Sequence, residues 1–273
     1  MSQQSQTAKP GGLGALFTST IGLKVLMAVT GAALVLFVVQ HMFANLQIFA
    51  GREVYNEYAH FMQSLGKLLW VARLGLILIV VLHIWAAVHV ARLNDEARQH
   101  RYHKPRKYQV TTPWARYMLF SGVVIFLFIV YHILHFTAGL ADPAVFNHWE
   151  VLVAGHWMPT PDSFDPAAAV AAGAEIRHDA YEMFILGLQK PMVGLFYVVA
   201  NIALAMHLAH ACTSMFQTLG LSYGKYRPFV VLIGPAIGAL LLVGNVLMPL
   251  AMMTGMVQVD TIGAVAPVSH GGH

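Results

Sequence analysis

Five long stretches without Asp, Glu, Lys or Arg constrain this chain more than any other feature of its sequence. They comprise residues 25–51, 74–91, 117–141, 191–224 and 228–259, with lengths of 27, 18, 25, 34 and 32 residues. A helix that crosses a bilayer needs about 20 mainly apolar residues, so each stretch can hold one crossing. We therefore predict an all-α integral membrane protein with five transmembrane helices.

Composition supports this class and excludes others. The chain is 58% hydrophobic and 10% charged, whereas ordinary soluble domains carry about a quarter charged residues. The net charge of +4 does not indicate a nucleic-acid partner, because the basic residues cluster beside apolar segments. Cys212 is the one cysteine, which excludes an internal disulfide framework and any multi-cysteine metal or iron–sulfur site.

The sequence divides into a polar N-terminal tail (1–20), a membrane domain (21–256) and a C-terminal tail (257–273). The N-terminal tail lacks the charged-then-apolar order of a cleaved signal peptide, so the first apolar stretch is expected to be retained. The connection at about 142–189 is predicted to be a long outer loop that caps the bundle, since loops of this length are functional or loosely ordered.

Lysine and arginine counts predict the orientation. With a cytoplasmic N-terminus, the inner segments hold 11 of these residues and the outer segments hold 5, and the densest basic segment is 94–113. Cytoplasmic loops carry such an excess. We predict a multi-pass protein of the cytoplasmic membrane, with the N-terminus inside and the C-terminus outside.

Histidine is unusually abundant, with 15 residues against 12 Asp plus Glu. The first four predicted helices each carry at least one, and the fifth carries none. An ionisable ring inside hydrocarbon is costly and marks a functional site by default, although a single one could simply bond a neighbouring helix. The seven in the uncharged stretches are His41, His83, His89, His132, His135, His207 and His210.

Depth in the membrane pairs four of these histidines. His41, His83, His132 and His207 each lie 9 to 11 residues before the downstream end of their helix, or about 14–16 Å at the rise of an α-helix. Because the first and third helices run outward and the second and fourth run inward, His41 shares an outer layer with His132. His83 then shares a layer nearer the cytoplasm with His207.

Two layers of opposed imidazoles are what two six-coordinate haems require, in a bundle formed by the first four helices. Zinc fits less well, because a layer of two histidines falls short of its usual four ligands. With both axial positions of an iron filled by protein, electron transfer is the remaining function.

Helical spacing does not decide between neighbouring histidines. His135 and His210 follow His132 and His207 by three residues and face nearly the same side. The histidine of each pair that does not ligate could bond a haem propionate or a backbone carbonyl. His89 lies on roughly the opposite face from His83, which favours an interfacial or interhelical role.

The sequence also resembles a known family. IGLKVLMAVTGAALVLFVVQHMFANLQIFAG followed by NEYAHFMQSL resembles the start of the single-chain, five-helix dihaem cytochrome b subunit of prokaryotic succinate dehydrogenases and fumarate reductases. LLWVARLGLILIVVLHIWAAVHVAR, SGVVIFLFIVYHILHFT and HDAYEMFILGLQKPMVGLFYVVANIALAMHLAHACTSMFQTLG are similar to its second, third and fourth helices. The resemblance covers about 20–255, less the outer loop.

The resemblance implies one haem ligand in each of the first four helices. These are His41 in VQHMF, His83 in VLHIW, His132 in VYHIL and His207 in AMHLAH. In the family the first and third ligands hold the distal of two b haems, and the second and fourth hold the proximal one. The choice of His207 follows from a small-residue turn, reached here at Gly220, that lies 13 positions after the family histidine.

The resemblance further implies partner subunits. A flavoprotein would carry covalent FAD and the dicarboxylate site, and an iron–sulfur subunit would dock on the cytoplasmic face. The basic 94–113 segment suits that docking, or else contact with lipid headgroups. Electrons from succinate would pass through the clusters, the proximal haem and the distal haem to a quinone, which in related members is often menaquinone bound near the distal haem.

Two positions depart from the family pattern. Gln63 stands where some members have a carboxylate implicated in quinol deprotonation, and Glu57 or His60 could substitute for it. Ala205 stands where certain fumarate-reducing members have a proton-transferring glutamate, so the direction of turnover stays open. The candidates for quinone or propionate contacts are His60, Gln63, Glu57, His135 and His210.

Two other functions remain open from the sequence. The chain could be the haem b subunit of another respiratory complex, such as a formate dehydrogenase, hydrogenase or nitrate reductase. It could also be a haem-free membrane anchor, or a transporter whose histidines relay protons.

Overall fold

A computed structural model describes residues 13–97 and 116–259. The structure is mostly helical (77%), as the sequence predicts. The predictions for most of the two terminal tails and for the larger part of the basic 94–113 segment fall outside the described residues.

In chain order the helices and strands are α1 (Leu13–Thr18), α2 (Thr20–Leu46), α3 (Arg52–Ser64), α4 (Lys67–Glu96), α5 (Met118–Phe136), α6 (Pro143–Phe146), β1 (Trp149–Val153), β2 (His156–Pro159), α7 (Pro166–Ala171), β3 (Ile176–His178), α8 (Ala180–Gln189), α9 (Pro191–Thr218) and α10 (Arg227–Met253).

Five helices, α2, α4, α5, α9 and α10, are long and apolar enough to cross a membrane. Each coincides with one of the five uncharged stretches, so their number and order are as predicted. With the 3₁₀ turns at Gln47–Ala50 and Gly224–Tyr226 that adjoin α2 and α10, the five segments contain 19 to 31 residues. A helix pairs most of its backbone polar groups internally, which is what hydrocarbon requires of a crossing segment.

Local chemistry explains two of the helix ends. Ser19 caps α2, because its Oγ accepts a hydrogen bond from the N–H of Gly22 at 3.0 Å. The helix α5 ends before Gly139, which has a φ of 65°. The N–H groups of Ala138 and Leu140 bond back to the carbonyls of Ile133 and Leu134 there, so the last carbonyls are satisfied.

The chain forms two compact units, which we call unit 1 and unit 2. Unit 1 comprises the described parts of 1–40, 70–123 and 203–241, and unit 2 comprises those of 41–69, 124–202 and 242–273.

Unit 1 is held by small and aliphatic side chains. Leu23 of α2 packs with Ala86 and Val90 of α4, and all three are buried. Gly234 of α10 lies directly against the backbone carbonyl of Ala209 in α9, where a Cβ would not fit. Small residues permit such close packing of helix backbones in lipid, where van der Waals contact is a main source of association.

Unit 2 has a larger and more aromatic core. It joins buried side chains from α3, α8, α9 and α10, among them Tyr55, Ile185, Tyr197 and Met252. The ring of Phe136 at the end of α5 stacks on Phe184 of α8, with centroids 5.4 Å apart.

The segment 142–189, predicted as a long outer loop, contains regular structure, and its β-sheet corrects the all-α prediction. It contains α6, α7 and α8 and a three-stranded antiparallel sheet in the order β2-β1-β3. Glu150 of β1 lies opposite Pro159 of β2 and Arg177 of β3 in the sheet register. We call this folded segment the cap.

A buried polar network joins the cap to α3. Arg177 Nε donates to Glu150 Oε2 at 2.6 Å, and both side chains are nearly inaccessible to solvent. Asn56 of α3 donates to Asp179 Oδ1 at 2.9 Å and to Glu150 Oε2 at 3.1 Å, while Arg52 donates to Asp179. Removing one member would leave another buried group unpaired, which makes the network a strong determinant of the cap's position on α3.

Burial shifts the pKa values of groups in the cap. It raises the pKa of Glu150, as does the charge of Asp179, and together these outweigh the opposing hydrogen bond from Arg177. Burial also lowers the pKa of His178, whose Nε2 donates to the carbonyl of Phe146 at 2.6 Å. Near neutral pH the fold therefore favours a neutral His178 ring.

Candidate functional site

In unit 2, the structure brings two of the predicted ligands together. His41 of α2 and His132 of α5 have ring centroids 5.7 Å apart, with ring planes at 87° to each other. These histidines are the pair that helix direction and depth predict for the outer layer. No ring contact between His135 and His41 is found in the described parts of the chain, so geometry favours His132 over its helical neighbour.

Tyr197 of α9 bonds both histidines of α5. Its hydroxyl lies 3.3 Å from His132 Nδ1 and 3.1 Å from His135 Nδ1, and the tyrosine is 5% exposed. His135 is buried, and its ring stacks on Phe136 with centroids 4.1 Å apart. Its Nε2 has no hydrogen-bond partner among the described residues. The contacts that hold His135 are therefore the stacking on Phe136 and the hydrogen bond with the Tyr197 hydroxyl.

In unit 1, the other predicted pair lies together. His83 of α4 is close enough to His207 of α9 to interact with it electrostatically. Each ring has a hydroxyl partner on another helix. Thr30 Oγ1 of α2 lies 3.1 Å from His83 Nδ1, and Ser121 Oγ of α5 lies 3.0 Å from His207 Nδ1.

A glycine of the neighbouring helix faces each ring of unit 1, and only the one at Gly31 permits an unusually close approach. A Cβ on Gly31 would lie 3.2 Å from Cε1 of His83, and one on Gly122 would lie 3.8 Å from Cε1 of His207. The first distance is tighter than ordinary van der Waals contact, so a larger residue at position 31 would displace the His83 ring.

The other candidate histidines have different surroundings. His210 is half-buried and near His207. His89 bonds its own helix, with Nδ1 3.1 Å from the carbonyl oxygen of Trp85 and the two rings 4.3 Å apart. The interfacial or interhelical role that the sequence suggests for His89 stays a prediction.

Three of the candidates for quinone or propionate contacts lie on α3. Glu57, His60 and Gln63 are exposed, and the His60 ring lies 6.4 Å from the ring of Trp157 in the cap. All of these residues belong to unit 2, as do His41 and His132. Their part in quinone binding stays a prediction.

The residues present fit a haem iron with two histidine ligands. Two imidazoles bonded to opposite sides of one metal, at about 2 Å each, have ring centres about 6 Å apart, and the separation of His41 and His132 is 5.7 Å. Among the described residues, no group of three or more His, Cys, Asp or Glu side chains could hold a bare metal ion. That criterion does not bear on haem, because the porphyrin itself supplies four of the six iron ligands.

Comparison with known proteins gives no relative. The sequence matches no family model, and neither a curated protein nor a solved structure is detectably similar to the chain. The resemblance to dihaem cytochrome b subunits therefore rests on the helix order and the histidine motifs.

Sequence reasoning missed the hydroxyl partners of the histidines, Thr30, Ser121 and Tyr197. The sequence does contain a signal for two of these partners, Thr30 and Ser121. Thr30 precedes His41 by 11 residues, Ser121 precedes His132 by the same number, and a glycine follows each hydroxyl residue directly. Eleven residues are just over three full helical turns, so this spacing puts hydroxyl and imidazole on one face.

Proposed function

We propose that this chain is the dihaem cytochrome b membrane subunit of a prokaryotic succinate:quinone oxidoreductase. The observation that carries the proposal is the arrangement of four histidines from four apolar helices as two pairs, each within one compact unit. Two axial nitrogens for each iron is the ligand set of a low-spin, electron-transferring haem.

Membrane insertion follows from the same helices. Five apolar segments of 19 to 31 residues are compatible with five crossings, and the excess of Lys and Arg on one side favours a cytoplasmic N-terminus. The proposed location is the cytoplasmic membrane, with the C-terminus outside.

In this proposal His41 and His132 hold one haem b, and His83 and His207 hold the other. The bound haems would supply one-electron transfer between an iron–sulfur partner and a membrane quinone. The chain's own residues orient the imidazoles and keep water away from them, since Thr30, Ser121 and Tyr197 are all buried. The dicarboxylate chemistry takes place in a partner flavoprotein with FAD.

The quinone, with menaquinone as the expected one, would bind in unit 2. The support is the resemblance, which puts the site near the distal haem, together with the polar side chains of α3. Glu57 and His60 are exposed and could exchange protons with a quinol, a function that Gln63 cannot perform because an amide does not titrate.

The first experiment is a spectrum of the purified complex with its natural partner subunits. A reduced-minus-oxidised difference spectrum and a pyridine haemochrome assay should give two b haems per chain. One haem would refute the dihaem assignment, and no haem would favour an anchor or a proton-relaying transporter. A molybdenum or nickel subunit in place of the flavoprotein would indicate another respiratory complex.

A further inference from the structure

The two histidines of unit 1 have hydroxyl partners of matching geometry on different helices. Thr30 and Ser121 are both 6% exposed, and each puts its side-chain oxygen within 3.1 Å of an imidazole Nδ1. Each is followed by a glycine that faces Cε1 of the same ring. The Nδ1–Cε1 edge of each imidazole therefore lies against a hydroxyl–glycine dipeptide.

The direction of these hydrogen bonds follows from counting protons. A hydroxyl has one proton to donate and two lone pairs with which to accept. Thr30 gives its proton to the carbonyl of Leu26 at 2.7 Å, and Ser121 gives its proton to the carbonyl of Met118 at 3.1 Å. With these protons on the helix carbonyls, each oxygen is left to accept from the ring, and this assignment gives Nδ1 the hydrogen and Nε2 the lone pair.

We propose that Thr30 and Ser121 are positioning residues that hold His83 and His207 in the tautomer whose Nε2 binds one shared haem iron. This inference rests on the proposed function. Metal-binding histidines commonly donate their second ring N–H to a protein acceptor, which fixes the ring and makes the ligating nitrogen more basic. Here two aliphatic hydroxyls serve as the acceptors, and helix carbonyls fix their own orientation.

Positioning by Thr30 and Ser121 has a consequence that a merely structural role lacks. A more basic Nε2 stabilises oxidised iron, so removing either hydroxyl should raise the midpoint potential of the haem it serves. Because both histidines serve one haem, substitutions at Thr30 and Ser121 must act on the same haem, although they lie 91 residues apart in the sequence.

The test uses the purified complex with its partner subunits and both haems. Thr30→Val and Ser121→Ala remove the hydroxyls with little change of volume, and Thr30→Ser and Ser121→Thr keep them. Redox titrations followed by haem absorbance should show that both removals raise the same one of the two potentials. The hydroxyl-keeping variants should restore the wild-type value, and the affinity for the affected haem should fall about 10- to 100-fold in the removals.

Thr254 provides a matched control, because its hydroxyl donates to the carbonyl of Leu250 at 2.8 Å in the same manner. Thr254→Val should leave both potentials unchanged. His83→Ala identifies the affected haem. This variant should lose one haem, and the potential of the remaining haem should be the one that Thr30→Val and Ser121→Ala leave unchanged.

The outcomes separate this inference from the proposed function. A wild-type complex without two haems refutes the function itself. If two haems are present and the removals act on different haems, or move neither potential, the positioning role is wrong and the function stands. If Thr30→Val or Ser121→Ala abolishes one haem, the positioning role holds only when the variant that keeps the hydroxyl at that position retains both haems.

Discussion

The two units carry equivalent histidine pairs in unlike surroundings. In unit 1 the acceptors are two separate aliphatic hydroxyls, Thr30 and Ser121, one for each ring. In unit 2 a single phenol, that of Tyr197, lies between two neighbouring histidines of α5. Unit 2 also contains the folded cap and its buried ion network, whereas unit 1 is packed by small and aliphatic side chains.

Two sites that share histidine side chains can therefore differ in how those rings are hydrogen-bonded. A phenol with one proton can donate to one Nδ1 and accept from the other, so Tyr197 couples the tautomers of His132 and His135. Thr30 and Ser121 act independently of each other, because each gives its proton to a carbonyl of its own helix. Hydrogen bonding around its ligands tunes a bound iron, so under the proposed function the two haems are expected to differ in potential.

The largest expected effect is the loss of a whole haem. His132→Ala should lower the haem content from two per chain to one, because an axial ligand is removed. His135→Ala should retain both haems, since its ring has no contact with His41 in the described residues. Pyridine haemochrome assays on both variants decide this, and a His132→Ala complex that keeps two low-spin haems would refute the assignment.

Breaking the ion network should loosen the cap alone. Asp179→Ala removes the acceptor for Arg52 and Asn56 and the N-cap of α8. Unpairing such buried groups costs about 3–5 kcal/mol, which hydrogen exchange across 142–189 should register as local opening.

The control for this change is Asp142→Ala. Asp142 pairs with Lys190, which is half exposed, and its side chain does not cap α6. An exposed pair is worth about 0–1 kcal/mol, so exchange should hardly change. Equal opening in the two variants would show that burial of the network is irrelevant to the cap.

A smaller effect should come from the shared phenol. Tyr197→Phe leaves two ring nitrogens without their partner, at a cost of about 1–3 kcal/mol, and should shift only the potential of the haem held by unit 2. Tyr131→Phe is the control, because its ring lies 5.5 Å from that of His135 but its hydroxyl bonds no histidine among the described residues. A shift of both potentials by Tyr197→Phe would contradict the separation of the two sites.

The smallest effect is a pH dependence of the cap. Because the pKa of Glu150 is raised in the fold, its stabilising contribution is complete below the unfolded value near 4.5 and is lost as the pH rises through the folded pKa. Glu150→Gln cannot ionise and should gain stability relative to the wild type with rising pH. Hydrogen exchange of both proteins at mildly acidic and mildly alkaline pH measures this, and parallel pH profiles would exclude ionisation of Glu150 as the cause.

The five helices were predictable because an unpaired charge in hydrocarbon is so costly that uncharged stretches mark the crossings. The histidine pairs followed from helix direction and rise alone. The cap was not predictable in this way. Its sheet pairs Glu150 with Arg177, which lie 27 residues apart, and no local pattern of prolines and alanines encodes such a contact.

Five apolar helices, four of them with histidines at similar distances from their downstream ends, could be read from the amino-acid sequence. Both properties follow from local periodicity and hydropathy. Which of His132 and His135 faces His41, and which hydroxyls meet the rings, required the three-dimensional fold. Those choices depend on how helices rotate against one another, and that rotation is set by packing between residues far apart in the chain.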